Sequence, residues 1–440
     1  MLWIGRAIFL LFSIFFLIFI FTNIIEKEKR ALRLSIIFFL LFVLLFFLSF
    51  SSFIFIQRIL CWIGIALLIA IILFFIPFGK KEDIKIGPII KKVDERDVIF
   101  ARDDLRVGSK NYKEYYKKHP ELKNIDDKIR KLPQLLEPGS LLYNPLQSKF
   151  ALSEFNFLEA QLNLVDGKVS KDRVDLKPDE ASFLVKKIAK YLGAKLVGIC
   201  EVNKYFYYSH VGRGPEPYGR EITLNHRYGI VFAVEMSFYE ILHAPFPSVV
   251  VETGKQYVEA AKISIILASY IRSLGYPARA HIAGSNYQAI LPPLAYLAGL
   301  GELGRLGILI TPKYGPRVRL GLVTTDLPLI PDKPKIFGVQ NFCRKCLKCA
   351  INCPAQAIEY GEKREVRGVK KWPLQAEKCY QFWKKIGTDC AICVYVCPYS
   401  RPDNFFHNII REGIKISPFL RFISMKGDFL FYGKKMSRKW

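Results

Sequence analysis

The chain has 440 residues, enough for about three domains at ~150 residues each. Apolar residues make up 51% of it and aromatic residues 14%, which excludes a disordered chain. Lys and Arg number 65 against 39 Asp and Glu, and the apolar excess is concentrated before residue 79. The sequence therefore predicts a membrane-anchored protein with a basic soluble part, and excludes a purely soluble one.

Three uncharged stretches occupy the N-terminal part of the chain, at 7–25, 34–56 and 59–78. Each is close to the roughly 20 apolar residues with which a helix crosses a bilayer. They predict an anchor of three transmembrane helices over 1–78, with a tight hairpin at Gln57 and Arg58. A signal peptide is the alternative for the first stretch, but no small-residue cleavage site follows it.

The basic residues around these stretches predict the orientation of the chain. The 26–33 loop has four Lys or Arg and the 79–92 segment has five, whereas the opposite side has Arg6 and Arg58. Because cytoplasmic loops collect Lys and Arg, we expect the soluble part to be cytoplasmic. The sequence predicts a multi-pass protein of the cell membrane, with the lipid bilayer as a partner.

The soluble part begins with a polar, highly charged segment at 79–150, which predicts a connecting arm. Its 110–131 stretch is either solvated or a helix lying against a surface. Helical and strand patterns then follow one another and predict a layered α/β domain over 151–335. The expected helices are 179–192 and 253–274, and the expected strands are 194–202, 229–237, 277–284 and 318–329.

Two cysteine runs near the C-terminal end have the spacing of iron–sulfur ligands. The first is a Cys-x2-Cys-x2-Cys-x3-Cys-Pro run, in which three thiolates bind one cluster and the fourth binds another. The second run lacks the leading cysteine, and Cys379 replaces it. We therefore expect two four-thiolate clusters in a ferredoxin-like domain over 336–402, followed by a tail over 403–440. The crossed sets are Cys343, Cys346, Cys349 and Cys397 for one, and Cys353, Cys379, Cys390 and Cys393 for the other.

Two interpretations other than cluster ligation apply to the cysteines: structural zinc binding and burial as free thiols. Structural zinc sites use paired Cys-x2-Cys knuckles, which this run does not match. Cys61, in a predicted span, and Cys200, in a predicted strand, are expected to be buried thiols.

Two clusters predict electron transfer, and the chain has neither a G-x-G-x-x-G motif after a strand nor a P-loop. The α/β domain must therefore hold another cofactor or the electron acceptor itself.

At this point the sequence resembles the reductive dehalogenases, a family of corrinoid iron–sulfur enzymes. The resemblance runs from about Val98 to Asp403. Its most specific segments are LGELGRLGILITPKYGPRVRLGLVTTDLPLIPDKP (300–334), FGVQNFCRKCLKCAINCPAQAI (337–358) and CYQFWKKIGTDCAICVYVCPYS (379–400).

The resemblance implies a nitroreductase-like α/β domain that holds a base-off cobalamin beside two [4Fe–4S] clusters. In this family the clusters reduce cobalt to Co(I), which removes halide from an organohalide, and a tyrosine supplies a proton. By position the tyrosine is Tyr257, with Asn286 lining the pocket and Arg319 or Arg317 beside the phenol. Thr253 is assigned to cofactor binding. A nearby cation makes a phenol a better acid. Tyr257 as an ordinary residue of an amphipathic helix is the competing interpretation, and spacing does not choose between the arginines.

The sequence also departs from the usual respiratory members of the family. It has no twin-arginine signal, and its anchor is fused to the catalytic chain. These departures put in doubt a periplasmic location, a respiratory role and a halogenated substrate. Two alternatives stay open. One is a corrinoid reductase of the epoxyqueuosine reductase kind, although we expect no nucleic acid partner; the other is a membrane-bound electron-transfer protein without a substrate. Membrane or cytoplasmic electron donors are both compatible, and the sequence does not predict an oligomeric state.

Overall fold

The computed structural model describes residues 2–75, 81–284 and 287–436, which form two compact units. The anchor unit contains the described residues of 1–82 and 402–439, and the α/β unit contains residues 83–401. Asn286, one of the predicted pocket residues, lies outside the described residues.

Three long apolar helices begin the anchor unit, and each is long and apolar enough to cross a membrane. Helices α1 and α3 approach closely, because a Cβ built on Gly64 would lie 2.5 Å from the Gly5 Cα atom. Small residues of this kind allow transmembrane helices to pack backbone to backbone. The three helices are α1 (Leu2–Ile25), α2 (Lys29–Leu48) and α3 (Ile54–Phe75).

The predicted hairpin at Gln57 and Arg58 is wrong, because both residues lie inside α3. The break comes earlier, at 49–53, in a segment containing three serines. The Ser49 hydroxyl donates to a carbonyl of the last turn of α2, at 2.6 Å, and serine side chains of this kind compete with helical hydrogen bonding. The Gln57 side chain then donates to the Ser51 carbonyl, also at 2.6 Å, which satisfies the turn from the α3 side.

The α/β unit contains a four-stranded antiparallel sheet in the order β1-β2-β6-β3. Two short hairpins, β4–β5 and β7–β8, stand apart from it. Four of the predicted strands thus occur, and all pairings in the main sheet are antiparallel. In chain order the strands are β1 (Leu196–Glu201), β2 (Tyr228–Glu235), β3 (Ala278–His281), β4 (Glu302–Leu303), β5 (Leu309–Ile310), β6 (Val318–Thr325), β7 (Arg364–Val366) and β8 (Val369–Lys371).

The helices of the α/β unit cover both faces of the main sheet. Longest among them is α10, which buries Ile263, Leu267 and Ile271 against sheet residues such as Phe232. The predicted start of this helix at 253 is five residues late, because the β-branched run at 249–251 reads as strand but packs as helix. The helices are α4 (Ile99–Asp103), α5 (Lys110–Lys118), α6 (Pro120–Arg130), α7 (Pro145–Ala160), α8 (Pro178–Tyr191), α9 (Phe238–Ile241), α10 (Ser248–Ser273), α11 (Leu291–Leu297), α12 (Val339–Cys346), α13 (Lys348–Ile351), α14 (Ala376–Ile386) and α15 (Ile392–Tyr395).

From residue 83 onward, the charged segment before residue 150 belongs to the α/β unit and contains α4, α5, α6 and the start of α7. Tyr112, Tyr115 and Tyr116 lie at helical spacing in α5 and form a buried cluster. The Tyr116 hydroxyl donates to Asp126 of α6 at 2.9 Å. Tyrosines supply an apolar ring and a polar tip, so a segment rich in charge still builds a small core.

The β4–β5 hairpin supports the start of α12 through a buried carboxylate. One oxygen of Glu302 accepts the backbone amides of Phe337, Gly338 and Val339, at 2.8, 3.0 and 3.2 Å. The side chain occupies the position where the first amides of a helix lack partners, and its negative charge suits the helix dipole. Burial nevertheless leaves the pKa of Glu302 above its ordinary value.

The segment predicted as a tail after residue 403 forms two helices of the anchor unit, α16 (Phe405–Ile416) and α17 (Pro418–Tyr432). Asn404 caps the first, since its side chain accepts the amide of His407 at 3.0 Å. The buried Glu26, in the turn between α1 and α2, accepts a hydrogen bond from Asn404 at 2.8 Å and pairs with His407 at 2.9 Å.

Candidate active site

The first predicted cluster set meets in one small cavity. Cys343 and Cys346 lie one turn apart on α12 and face this cavity. Leu347 then adopts a left-handed conformation, with φ of 56°, which ends α12 and directs the chain into α13. Cys349 therefore returns to the same cavity, and Cys397 joins it from the second run. This is the crossed set expected from the spacing.

The second predicted set lies at the other end of the cysteine region. Cys379 lies on α14, and Cys390 and Ala391 take left-handed conformations that bring Cys393 onto α15. Burial raises the pKa of the Cys393 thiol to about 12, with Cys379 and Cys353 as the next contributions, so these thiols are electrostatic neighbours. Iron ligation would offset this by holding the thiols as thiolates.

The two cysteine sets fit clusters better than single ions. Among the described residues, no group of three or more His, Cys, Asp or Glu side chains is arranged to hold one metal ion. In a four-iron cluster each thiolate binds a different iron atom, so the thiolates need not converge on a single point. Both cysteine sets are therefore compatible with four-iron clusters.

A buried cation stands beside the first set. Arg305, which follows β4, lines the same cavity and donates to the Cys343 carbonyl at 3.0 Å. Its Nη1 donates to the carbonyls of Glu359 and Gly361, at 2.7 and 2.9 Å. Burial lowers the pKa of Arg305 from its ordinary value, although the neighbouring cysteines act in the opposite direction.

A larger cavity of about 390 Å³ opens between α10, α11 and the main sheet. Tyr257 and Arg319 both line it, and the Arg319 guanidinium carbon lies 5.0 Å from the centre of the Tyr257 ring. The lining contains three phenols, two guanidinium groups and otherwise apolar side chains. Its residues are Phe100, Tyr208, Arg213, Tyr257, Tyr287, Ala289, Ile290, Leu291, Pro292, Ile308, Leu309, Pro316, Val318, Arg319 and Leu320.

Arg319 is held at the wall of this cavity by a hydrogen-bonded group. Its Nη2 donates to the Thr253 hydroxyl at 2.6 Å and to the Asp389 carboxylate at 3.0 Å, and Thr253 donates to the same carboxylate oxygen at 2.5 Å. Burial acts to lower the pKa of Arg319, but Tyr257, Asp389 and Tyr287 outweigh it and raise that pKa. The guanidinium therefore stays charged next to the phenol.

Three buried polar atoms around this group have no hydrogen-bond partner: Arg319 Nε, Asp389 Oδ1 and Thr388 Oγ1. Buried polar atoms normally find partners, so atoms left without one at a cavity wall fit a site that binds a further group.

The structure separates the two predicted arginines. Arg319 is in β6 and faces the cavity, whereas Arg317 precedes that strand and is fully buried elsewhere. Arg317 donates to the carbonyls of Ser400 and Met236, at 2.6 and 2.5 Å. Spacing could not separate the two arginines, whereas in the structure only Arg319 belongs to the strand. Thr253 is not among the described lining residues, and its hydroxyl accepts the hydrogen bond from Arg319.

Sequence reasoning missed several residues of this site. Tyr287 lies near Tyr257, and burial raises its pKa; burial also raises the pKa of Tyr208 to about 12. Arg213 comes from a loop with no recognisable motif. Asp389 carried a usable signal, because an acidic residue directly preceding a predicted ligand, Cys390, is unusual in a buried cysteine run.

Comparison with known proteins bears on both parts of the α/β unit. A family described as 4Fe-4S dicluster domain matches residues 342–400. The chain is 34% identical over 297 residues to a tetrachloroethene reductive dehalogenase of Desulfitobacterium hafniense, covering 57% of this chain and 53% of that protein. It is 31% identical over 293 residues to the tetrachloroethene reductive dehalogenase of Sulfurospirillum multivorans, covering 59% and 58%.

The fold itself matches a solved structure. A catabolic reductive dehalogenase, NpRdhA, in complex with 3-bromo-4-hydroxybenzoic acid, superposes with a TM-score of 0.65 at 24% identity, covering 82% of this chain and 49% of that one. At this identity the match speaks for the fold. The chain spans about half the length of the curated relatives it matches.

Fold and cysteine pattern define the class: an α/β protein with a ferredoxin-type 4Fe–4S dicluster domain, preceded by three apolar helices. Over the region that the curated matches cover, the chain is similar to the reductive dehalogenases.

Proposed function

We propose that the protein is a membrane-anchored reductive dehalogenase. The overall change would be R–X + 2e⁻ + H⁺ → R–H + X⁻: the carbon–halogen bond breaks, a carbon–hydrogen bond forms, and halide leaves with the electron pair. A bound base-off corrinoid would supply the low-valent Co(I) chemistry that removes halide. The observation that carries the proposal is the meeting of Tyr257 and Arg319 at a cavity wall, with Arg319 bonded to the residue next to Cys390.

Tyr257 would hold the proton that the reaction consumes. Its ring lines the cavity, and the adjacent Arg319 would stabilise the phenolate that forms when the proton leaves. Such positioned acid catalysis contributes about 10²–10⁴-fold. Tyr208 and Tyr287, buried nearby, would stay protonated, because burial raises the pKa of each.

Electrons would reach the cavity through the cysteine sets. Asp389 is adjacent to Cys390, and its carboxylate contacts both Thr253 and Arg319 at the cavity wall. The second cluster would therefore lie on the cavity side of the electron path and the first cluster farther out. Two [4Fe–4S] clusters in series suit a reaction that takes two electrons one at a time.

The surroundings of the enzyme belong to the same proposal. The anchor would span the cell membrane, with the α/β unit on the cytoplasmic side, where a membrane or cytoplasmic donor would supply electrons. The substrate would be a small organohalide, as the names of the relatives suggest. The division into an anchor over 1–78, a cobalamin domain over 151–335 and a cluster domain over 336–402 stays part of the proposal.

Anaerobic purification of the full chain in detergent tests the proposal. We expect cobalt near one and iron near eight atoms per chain, together with reductant-dependent halide release from a panel of chlorinated ethenes and brominated phenols. Iron without cobalt and without halide release would instead indicate an electron-transfer protein. Cobalt together with reduction of an epoxyqueuosine-containing tRNA stem loop would indicate the related tRNA enzyme.

A further inference from the structure

The two C-terminal helices have inverted polarity. Along α17, Phe419, Phe422, Ile423 and Leu430 are between 38% and 45% exposed, and their spacing of three, four and seven residues places them on one face. The opposite face buries Arg421 and Asp428, which are 4% and 8% exposed. A helix on a water-exposed surface shows the reverse pattern.

Helix α16 follows the same rule over its first two turns, whereas Glu412, farther along the same face, is exposed and pairs with Lys415. Phe405 is 73% exposed and Ile409 42%, whereas His407 and Arg411 are buried. Two of the buried arginines donate hydrogen bonds within the anchor unit. Arg411 donates to the Pro402 carbonyl and Arg421 to the Ile414 carbonyl, each at 3.0 Å.

Aromatic contacts place both helices alongside the apolar part of α1. The Phe406 ring stacks on Phe19 at 4.2 Å, and the Phe431 ring meets the same residue edge-on at 5.1 Å. Phe19 lies six residues before the end of α1 at Ile25, which is about 9 Å of helix rise. The turn containing Glu26 marks the end of that helix, so these contacts lie below it, along the stretch expected to be in hydrocarbon.

We propose that α16 and α17 insert side by side into the bilayer leaflet next to the 26–33 loop, with their exposed apolar faces against lipid acyl chains. The proposal commits to lipid, because the exposed faces continue the lipid-facing surface of α1 and α2, where Phe21, Ile24 and Leu40 are more than half exposed. Lys426 lies 5.4 Å from the Phe422 ring and can reach the headgroup region along it. The proposal depends on the membrane anchor and is independent of the dehalogenase reaction.

Photo-crosslinking in vesicles of phosphatidylethanolamine and phosphatidylglycerol tests this inference on the full chain. Phe422 or Ile409 is replaced by benzoylphenylalanine, irradiated, and its adducts are identified by mass spectrometry. The matched control is Phe183 on α8 of the α/β unit, which is 70% exposed. We expect lipid adducts at 422 and 409 several-fold above those at 183. Equal yields, or adducts to a second copy or to another protein, overturn the proposal.

A measurement on the unaltered chain covers the case in which these variants fail to accumulate. A lipid with a diazirine in its acyl chain labels the protein in the same vesicles, and labelled peptides are mapped. Peptides of 418–432 should be labelled to within a few-fold of those of 29–48, and peptides of 178–191 should not. Labelling of 418–432 no higher than that of 178–191 contradicts the inference.

Discussion

The Arg319 guanidinium and the Asp389 carboxylate lie 3.0 Å apart, and they join the strand that lines the cavity to the loop that carries Cys390. The carboxylate fixes one edge of the guanidinium, and Tyr257 lies beside its carbon atom. Any electron donor bound by Cys390 would therefore lie two residues from the cation that supports the proposed acid.

Replacing Tyr257 by Phe keeps the ring in the cavity and removes only the proton. We expect turnover to fall by about 10²–10⁴-fold, with iron and cobalt contents unchanged. Steady-state halide release with metal analysis of the same sample measures both. Tyr287→Phe is the matched control, since it removes a neighbouring phenol and should have the smaller effect. A Tyr257→Phe variant with the normal rate and full cofactor content would show that a group other than Tyr257 supplies the proton.

Substitutions of Arg319 separate charge from geometry. Lys keeps the charge but loses the planar guanidinium whose Nη2 contacts both Thr253 and Asp389, so Arg319→Lys should lose less activity than Arg319→Ala. Single-turnover rates with each variant provide the comparison, and cluster absorption checks that the neighbouring loop is intact. Equal losses in both variants would show that the cation itself contributes nothing to the acid.

Changing Cys379 to Ala should damage one cluster and leave the other present. Iron should fall from about eight atoms per chain towards four, with the remaining electron paramagnetic resonance signal that of the Cys343 set. Cys200→Ala is the control, because that thiol lies in β1 outside both sets. Wild-type iron near four per chain would contradict the two-cluster assignment.

Removing the buried charge of Arg305 should make the nearer cluster harder to reduce. A cation inside a low-dielectric cavity stabilises the more negative, reduced state of the cluster. Arg305→Gln should therefore shift one midpoint potential to more negative values, and Arg305→Lys should shift it less. A redox titration followed by electron paramagnetic resonance resolves this, with the exposed Arg364→Gln as control. Unchanged midpoint potentials in Arg305→Gln would show that Arg305 has a purely structural role.

Glu154 predicts a pH dependence of stability. Burial, followed by repulsion from Glu252, raises its pKa from 4.5 to about 7. The folded state therefore binds more protons than the unfolded state between these values, and stability falls as the pH rises through this window. Glu154→Gln should stabilise the protein at pH 8 by about 1 kcal/mol after discounting for solvent screening, and have little effect near pH 4.5. Thermal unfolding at several pH values measures this; a constant difference across the range would contradict it.

The sequence predicted the parts of this fold that local spacing determines. Cysteine intervals predicted the set Cys343, Cys346, Cys349 and Cys397 that the structure gathers in one cavity. Helical periodicity predicted α8 and most of α10, and apolar length predicted three helices long and apolar enough to cross a membrane. Each of these depends on neighbours within a few residues or on a chemical motif.

What the sequence could not predict depends on contacts between distant segments. Arg317 and Arg319 look equivalent in GPRVRL, and only the start of β6 at Val318 separates them. Asp389 and Thr253 are far apart in the chain and meet only after folding. The charged segment before residue 150 hid its core because tyrosines, rather than aliphatic residues, build it.

The Glu302 carboxylate that accepts three amides at the start of α12 has a consequence for any attempt to divide this protein. The cap comes from the β4–β5 hairpin, well before Cys343, the first cysteine of the two runs. A fragment that starts at residue 336 loses that cap and also the Arg305 bonds to the Cys343 carbonyl and to the chain near Gly361. The cysteine region is therefore not an independently transferable ferredoxin domain. A chimeric protein that includes it must also include the 302–310 hairpin.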